Sequence, residues 1–166
     1  MEKVILVDKD DRQIGLEEKV KSHMGDGVMH RAFSVFIFNS KGEFLLQRRS
    51  REKMLWPLYW TNTCCSHPRE GEDYQEAGQR RLKEEMGFSC TLKPVGKFSY
   101  HAKYKDIGSE SELCSVLMGT YDGKVIPDPK EAAEYTWTNF QELQKDVAAN
   151  PDKYTPWFKL ELEKFF

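Results

Sequence analysis

Apolar and polar positions follow two different periods along this chain, and these periods predict where strands and helices lie. RAFSVFIFN (31–39) is almost continuously apolar at its centre, which is typical of a buried strand. SKGE (40–43) carries turn residues, and FLLQRRS (44–50) predicts a strand that returns antiparallel to the first. KVILVD (3–8) predicts another strand, with RQIG (12–15) as its hairpin partner.

A helical period of apolar residues appears in the middle of the sequence and again in its last segments, 140–150 and 156–166. Between residues 73 and 86, Leu82 and Met86 lie four positions apart on one helix face, and Gly87 is a natural helix stop. The remaining predicted segments are a short helix at 16–22, an aromatic loop at 53–62, strands at 91–101, 111–121 and 134–138, and helices at 140–150 and 156–166. This order predicts a single domain over residues 1–166, of mixed α/β class, with helices on both sides of the sheet.

Composition and charge narrow the class of protein further. Hydrophobic residues make up 39% and charged residues 31% of the 166 residues, enough for a core in a single domain. The net charge is −2, and no basic run suggests a nucleic-acid partner. The apolar runs are strand-length, and the acidic start MEKVILVDKDD does not resemble a signal peptide. We therefore expect a cytoplasmic protein that acts without a membrane.

The chain has four cysteines, which we expect to be free thiols: Cys64, Cys65, Cys90 and Cys114. A disulfide between the adjacent Cys64 and Cys65 would be strained. No C-x-x-C pair is present, which argues against a zinc ribbon.

The predicted central helix carries an unusual set of charges. Arg80 and Glu84 share one face, as do Arg81 and Glu85, and the simplest interpretation is two surface ion pairs. The surrounding glycines and glutamates, however, resemble the Nudix box, a loop and helix whose carboxylates hold magnesium on a diphosphate. The matching positions are Gly71, Glu72, Arg80, Leu82, Glu84, Glu85, Gly87 and Phe88. The resemblance implies a Nudix-type α/β/α sandwich with a mixed sheet.

The departures from this box are informative. Arg81 occupies the position of a glutamate that binds metal in the Nudix box, and Cys65 and Ser66 stand where it has paired glycines. An arginine binds anions but does not activate water. The altered box therefore implies a protein that binds a diphosphate but does not hydrolyse it.

Several separated motifs resemble type 1 isopentenyl-diphosphate isomerases, which share the Nudix fold. They are WTNTCCSHPREGE, LWPLYWTNTCCSHP, ESELC and KVKSHMGDGVMHRAFSVFIFNSKGEFLLQRRS. The resemblance extends from about Lys19 to Trp157. It implies the interconversion of isopentenyl and dimethylallyl diphosphate in isoprenoid biosynthesis, in which an alkene is protonated to a tertiary carbocation and a different proton is then removed.

The resemblance also implies the residues that move these protons. Cys65 and Glu112 would form the acid/base pair, and Tyr100 would position or relay a proton beside the carboxylate. The position of His67, two residues after Cys65, indicates that Cys65 and not Cys64 is the acid/base cysteine of this resemblance. We expect Cys64 to be structural. We also expect Cys65 to precede a helix N-terminus, where the dipole and nearby cations favour a thiolate. The alternative for Cys65 is a buried, inert thiol.

Two metal sites follow from the same resemblance. The first would hold Mn²⁺ or Zn²⁺ with three histidines and two carboxylates, namely His23, His30, His67, Glu110 and Glu112. Glu110 and Glu112 would share one face of a strand. Each histidine taken alone is more simply a surface or core residue. The second site would hold Mg²⁺ on the substrate diphosphate, with Glu85 as its protein ligand.

Cationic and aromatic residues complete the predicted site. The diphosphate clamp would consist of Lys19, Arg49, Lys53 and Arg81, although QRRSREK (47–53) could also be a solvated charge run. The face of Trp157 would stabilise the carbocation, the alternative being an anchor for the last helix. The expected partner is therefore a small isoprenoid diphosphate, and we expect a monomer, with a dimer as the alternative.

Two other functions compete with this interpretation. A Nudix hydrolase would explain Glu84 and Glu85 but not Arg81, Cys65 or the histidines. A non-enzymatic zinc-binding module would use the histidines structurally, and it would have no need for Cys65.

Overall fold

The apolar run around residue 35 forms the central strand of a nine-stranded sheet in the computed structural model, which describes residues 1–166. The strands are β1 Lys3–Val7, β2 Gln13–Glu18, β3 His30–Phe38, β4 Phe44–Arg49, β5 Trp60–Thr61, β6 Cys64–Ser66, β7 Lys93–Tyr104, β8 Gly108–Thr120 and β9 Ala132–Thr138. The helices are α1 Lys19–Ser22, α2 Tyr74–Met86, α3 Phe140–Ala149 and α4 Pro156–Phe165. None of these helices could span a bilayer, since the longest, α2, has 13 residues.

Strand β3 organises the sheet because it pairs with four other strands. It runs antiparallel to β1, β4 and β6 and parallel to β8, so the sheet is mixed. The long β7–β8 hairpin extends one side, and β9 and β5 pair with β4. Strands β6 and β8 flank β3 on opposite sides over the same stretch, since Ser34 is opposite Cys65 and also opposite Val116.

Alternate residues of β3 pack against helices on the two faces of the sheet. Phe33 and Val35 belong to a buried cluster that contains Leu82 and Met86 of α2. Phe36, on the other face, belongs to a larger aromatic cluster with residues of α4. Because side chains alternate along a strand, one strand serves both layers. The predicted α/β/α sandwich is confirmed.

Helix α2 begins with a capping box and ends at a glycine. The side chain of Asp73 accepts a hydrogen bond from the backbone of Glu76, and the Glu76 side chain accepts one from the backbone of Asp73. Gly87 ends the helix in the left-handed conformation, with φ of 78°. A glycine reaches this conformation at little cost, so the predicted stop is confirmed.

One local prediction was wrong. Residues 16–18 continue strand β2 and pair with β1, and only Lys19–Ser22 is helical. The backbone pairing with β1 therefore overrides the helical pattern there. Residues 64–66, for which the sequence predicts no element, form the short strand β6. Asn62 and Thr63 hold this strand in place, because Asn62 donates to the Val35 carbonyl at 3.1 Å and Thr63 to the Leu45 carbonyl at 2.6 Å.

Candidate active site

A cavity of about 360 Å³ opens on the α4 face of the sheet, and most of the predicted site residues line it. Those at its surface are Lys19, His23, Arg49, Lys53, Cys65, His67, Arg81, Glu110, Glu112 and Trp157. Tyr100, His30 and Glu85 are buried and are not among the lining residues. Residues from distant parts of the chain thus meet around one space.

The two adjacent cysteines face opposite sides of the sheet. Cys65 lies beside Ser34 of β3, and its sulfur lines the cavity and donates a hydrogen bond to Asn62 Oδ1 at 2.8 Å. Cys64 packs in the cluster under α2 and donates to Glu85 Oε2 at 3.0 Å. The alternation of a strand therefore separates the two thiols, and only Cys65 reaches the cavity.

The expected thiolate at Cys65 is a wrong prediction. Cys65 lies in strand β6, eight residues before the N-cap of α2, so the helix dipole does not act on its sulfur directly. Burial raises the pKa of Cys65 well above its usual range, and the charge of Glu161 raises it further. Ser34, Arg49 and Asn62 lower this pKa, but they do not compensate. The surroundings of Cys65 therefore favour the thiol.

Glu112 is held between a tyrosine and two histidines. Tyr100 is opposite it in the β7–β8 hairpin, and the phenol donates a hydrogen bond to Glu112 Oε1. Glu112 Oε2 lies 3.1 Å from His67 Nε2 and 3.4 Å from His30 Nε2. Burial raises the pKa of Glu112, but His30 and His67, when their rings are protonated and donate to it, outweigh burial and hold this pKa well below its usual range.

The three predicted histidines form one cluster with Glu110. His23 follows α1, His30 begins β3, His67 follows β6, and Glu110 lies on β8. Their potential ligand atoms all lie within 4.8 Å of one another. His23 Nε2 is 2.8 Å from Glu110 Oε2, and His30 Nε2 is 3.2 Å from His67 Nε2.

The donor set of this cluster fits a metal ion. His23 and His30 use Nδ1 to donate to the carbonyls of Lys19 and Val28, at 2.6 and 2.7 Å. Their Nε2 lone pairs therefore point toward the cluster when the rings are neutral. Burial lowers the pKa of His67 to about 3, which favours a neutral imidazole there, whereas Glu110 raises the pKa of His23 in spite of its burial. When the rings are neutral, these lone pairs and the Glu110 carboxylate form a donor set that suits a divalent cation.

The predicted clamp residues surround the cavity, but they already have partners. Arg49 donates to the carbonyls of Trp56 and Leu55 at 3.0 and 2.9 Å. Its guanidinium lies over the ring of Trp157, 5.3 Å from the centroid. The backbone contacts and the indole therefore fix the orientation of Arg49. Trp157 is 3% exposed and contacts Trp56 edge to face, so it also anchors α4.

Glu131, which was not predicted from the sequence, forms ion pairs with two further clamp residues, Lys53 and Arg81. Its carboxylate pairs with Lys53 and lies 3.0 Å from Arg81 Nη2. Arg81 also contacts Glu84 and Glu85, at 2.6 and 3.4 Å. Although burial raises the pKa of Glu131, these partners lower it to about 2. Glu131 precedes β9, far from the clamp in sequence, and no local pattern marks it.

The other residues that sequence reasoning missed are Ser34, Asn62 and Glu161. Ser34 lines the cavity between Cys65 and Cys114, and Asn62 accepts the Cys65 hydrogen bond. Glu161 is completely buried on α4. Its spacing from Trp157, four residues earlier, was the available signal, since it places a carboxyl on the apolar face of the last helix.

The loop and helix that carry the altered box have the expected arrangement. Gly71 is in the left-handed region, with φ of 86°, and Arg80 binds Glu72 through two hydrogen bonds, of 2.7 and 2.9 Å. Arg80 therefore fixes the loop to α2. Glu85 accepts from Cys64 and from Gln47, at 3.0 and 3.3 Å, and this single carboxylate fits Mg²⁺ only together with substrate phosphate oxygens.

The mixed sheet between helices and this glycine-glutamate loop define a Nudix-type protein, and a family model described as NUDIX domain matches residues 28–158. A crystal structure of a Deinococcus radiodurans protein has the same fold, with a TM-score of 0.81, 21% identity and 99% coverage of both chains. The MutT protein from Methanosarcina mazei superposes with a TM-score of 0.68 at 23% identity, over 82% of this chain and 92% of its own.

Sequence relatives place the chain within this class. An isopentenyl-diphosphate Delta-isomerase of Serratia proteamaculans is 46% identical over 157 residues, or 95% of this chain and 87% of its own. The Halorhodospira halophila protein of the same name is 44% identical over 96% of this chain and 92% of its own. The chain belongs to the isopentenyl-diphosphate Delta-isomerase family.

Proposed function

We propose that this protein interconverts isopentenyl diphosphate and dimethylallyl diphosphate for isoprenoid biosynthesis. The observation that carries the proposal is that Cys65, Glu112 and the cations Lys19, Arg49 and Lys53 all line one cavity. A thiol and a carboxylate around the same small space suit a reaction that adds one proton and removes another.

In the proposed mechanism, Glu112 handles the proton that adds to the terminal alkene carbon. Its hydrogen-bonded phenol partner, Tyr100, positions the carboxyl and can pass a proton to it. Cys65 handles the proton that leaves the carbon nearer the diphosphate. The direction of the reaction decides which residue acts as acid and which as base, since the reaction is reversible.

The cavity wall would stabilise the tertiary carbocation between these steps. Trp157 offers an aromatic face, which attracts a cation without attacking it. The Arg49 guanidinium lies over the same indole, 5.3 Å from its centroid, so a cation already rests against this ring. Leu55 and Met54 also line the cavity, and such apolar walls reduce access of water to the cation.

Metal ions would support the chemistry at two places. We propose that His23, His30, His67 and Glu110 hold Zn²⁺ or Mn²⁺, with Glu112 at its edge. The ion would supply positive charge that keeps Glu112 in place and adjusts its acidity. We propose that Glu85 would hold Mg²⁺, which would neutralise charge on the substrate diphosphate, and that Lys19, Lys53 and Arg81 would contact the phosphate oxygens.

The decisive test is incubation of the purified protein with isopentenyl diphosphate and Mg²⁺, with Mn²⁺ or Zn²⁺ added. Dimethylallyl diphosphate and released phosphate are measured in the same reaction, with and without a chelator. We expect the isomer to form without phosphate release, and we expect the chelator to stop its formation. Phosphate without isomer would instead support a Nudix hydrolase.

A further inference from the structure

The cavity of the proposed active site is buried at one end and open to solvent at the other. Glu112 and Trp157, at the end where the alkene would react, are 7% and 3% exposed. The clamp residues Lys19 and Lys53 are half-buried. The exposed lining residues mark the mouth of the cavity, and they are Glu2, Val20, Glu52 and Met54. A substrate with its alkene at the buried end therefore directs its diphosphate past the lysines and toward the mouth.

Glu2 is held at this mouth by two contacts with Lys19. Its backbone carbonyl accepts a hydrogen bond from the Lys19 backbone N–H at 3.0 Å, and its carboxylate accepts one from the Lys19 ammonium at 3.2 Å. The sheet continues from this point, since Lys3 begins β1 and is opposite Glu18, the last residue of β2. The pairing of β1 with β2 therefore fixes the backbone that carries Glu2.

The ion pair between Glu2 and Lys19 is too exposed to matter much for folding. The Glu2 side chain is 53% exposed and that of Lys19 is 35% exposed. Surface pairs of this kind contribute little to the free energy of unfolding. The position of the pair is more informative, because it brings a negative charge next to a cation that the substrate diphosphate would contact. Glu52 lines the same mouth with a second carboxylate.

A carboxylate at the mouth distinguishes anions by the point at which their charge ends. The Lys19 and Lys53 ammonium groups attract phosphate oxygens, whereas the Glu2 carboxylate repels them. A diphosphate whose terminal phosphate stops at the lysines gains this attraction. A third phosphate would extend beyond the lysines and bring further negative charge next to Glu2. Specificity commonly depends on such a repulsive element as well as on attractive contacts.

We propose that Glu2 is a specificity-determining residue that selects ligands ending in a diphosphate and disfavours organic triphosphates, an inference that rests on the proposed isomerase function. The selection is electrostatic. The Glu2 side chain is largely open to solvent and leaves room for a longer ligand, so its charge and not its bulk opposes a third phosphate. The alkyl end of the ligand is recognised separately, at the buried end of the cavity.

The test measures binding of two saturated probes, isopentyl diphosphate and isopentyl triphosphate, which lack the alkene and do not react. Calorimetry with the metal-loaded protein at a fixed Mg²⁺ concentration gives both affinities. We expect the wild-type protein to bind the triphosphate no more tightly than the diphosphate. In E2Q the affinity for the triphosphate relative to the diphosphate should rise about fivefold, the effect of one unit charge removed from about 4 Å away in water. Added salt should reduce this change, since the Debye length falls from about 30 Å at 0.01 M to about 8 Å at 0.15 M.

A matched variant and a third probe separate charge at the mouth from other effects. E18Q removes the same charge beside Lys19 in sequence, but Glu18 pairs with Lys21 at 3.4 Å and does not line the cavity. We expect E18Q to keep the wild-type ratio of affinities. Isopentyl methyl diphosphate adds bulk beyond the terminal phosphate without adding charge. E2Q should leave its affinity relative to isopentyl diphosphate nearly unchanged.

The outcomes separate this inference from the proposed function. If the wild-type protein forms no isomer from isopentenyl diphosphate, the proposed function fails. If it forms isomer and E2Q keeps the wild-type ratio of affinities, only the role of Glu2 is overturned. An equal gain for the triphosphate and the methyl diphosphate in E2Q would also overturn it, because bulk would then explain the selection. A parallel loss of all three affinities, with a lowered unfolding temperature, would do the same, because it indicates that Glu2 only holds Lys19 in place.

Discussion

Single residues in this cavity owe their chemistry to small differences in position. Cys64 and Cys65 are neighbours in sequence, yet one hydrogen-bonds Glu85 on the α2 side and the other lines the cavity. Glu112 and Glu161 are both buried carboxyls, but Glu112 has histidine partners and Glu161 has no ion pair. Their pKa values shift in opposite directions for that reason.

The role of Cys65 is testable with a matched cysteine. We expect C65A to lower kcat by about 10²–10⁴-fold, the usual range for a lost acid-base group, because no other thiol reaches the cavity surface. Binding of the substrate diphosphate should change little. C90A is the control, since Cys90 is remote from the cavity. Isomer formation and proton exchange in heavy water provide the measurement, and near-normal exchange in C65A would contradict the assignment.

Glu131 should make stability depend on pH in a defined way. Its pKa is about 2 in the folded protein, against an ordinary value of 4.5, so its ion pairs stabilise the fold fully above that ordinary value. This contribution is lost as the pH falls through the folded pKa. We expect E131Q to be less stable than the wild-type protein near neutral pH, by about 1 kcal/mol or less.

Urea unfolding near neutral pH and at about pH 2 measures this difference, which should shrink toward zero at the acidic end. E134Q is the control, because Glu134 pairs with Arg48 at the surface and its side chain is 55% exposed. A difference between E131Q and the wild-type protein that stays constant with pH would contradict the assignment of these ion pairs.

At the scale of elements, the sequence contained what was needed for the main strands and for α2. The apolar run of β3, the helical spacing of Leu82 and Met86 and the stop at Gly87 are local signals, and local signals can be read from one sequence. Strand β6 carries no such signal in its three residues. Its pairing with β3 depends on Asn62 and Thr63, whose partners are distant in sequence.

Removal of the α2 cap should weaken the whole fold by a measurable amount. D73A deletes the side chain that accepts from the Glu76 backbone at 2.8 Å. We expect the free energy of unfolding to fall by about 1 kcal/mol, the typical value for a lost N-cap. E70A, at an exposed position just before the helix, is the control and should change stability less. Urea unfolding measures the free energy of unfolding of both variants. Equal losses in D73A and E70A would show that the capping hydrogen bond does not stabilise the fold.

At the scale of the whole molecule, the histidine cluster joins segments that are far apart in sequence. Sequence reasoning could list its members from a family resemblance, but not their spacing, because that spacing depends on how β3, β6 and β8 lie together. The same limit explains why Glu131 and Glu161 were missed. Glu131 is an ordinary glutamate in its local sequence, and Glu161 is marked only by its four-residue spacing from Trp157. The partners of Glu131 and the burial of Glu161 depend on how distant segments pack.

Metal binding should therefore stabilise the entire fold. An ion held by His23, His30, His67 and Glu110 binds the folded chain better than the unfolded chain. At a metal concentration about 100-fold above Kd, the gain is about 2.7 kcal/mol. We expect Mn²⁺ or Zn²⁺ to raise the unfolding temperature of the wild-type protein and to have a much smaller effect on H67A.

H101A is the control for this experiment, because His101 contacts only the Asp26 carbonyl at the surface. It should respond to metal as the wild-type protein does. Thermal unfolding monitored by circular dichroism, with and without metal, gives the comparison. An equal rise in H67A and the wild-type protein would place the metal elsewhere.

The buried hydrogen bonds of Asn62 and Thr63 fix the register of the short strand that follows them. Insertion or deletion of a single residue between Thr63 and Cys65 would exchange the two faces toward which the side chains of this strand point. The sulfur now facing the cavity would turn toward α2, while the overall composition and most of the core stayed the same. The number of residues from Asn62 to Cys65 therefore has to stay the same for the Cys65 sulfur to face the cavity.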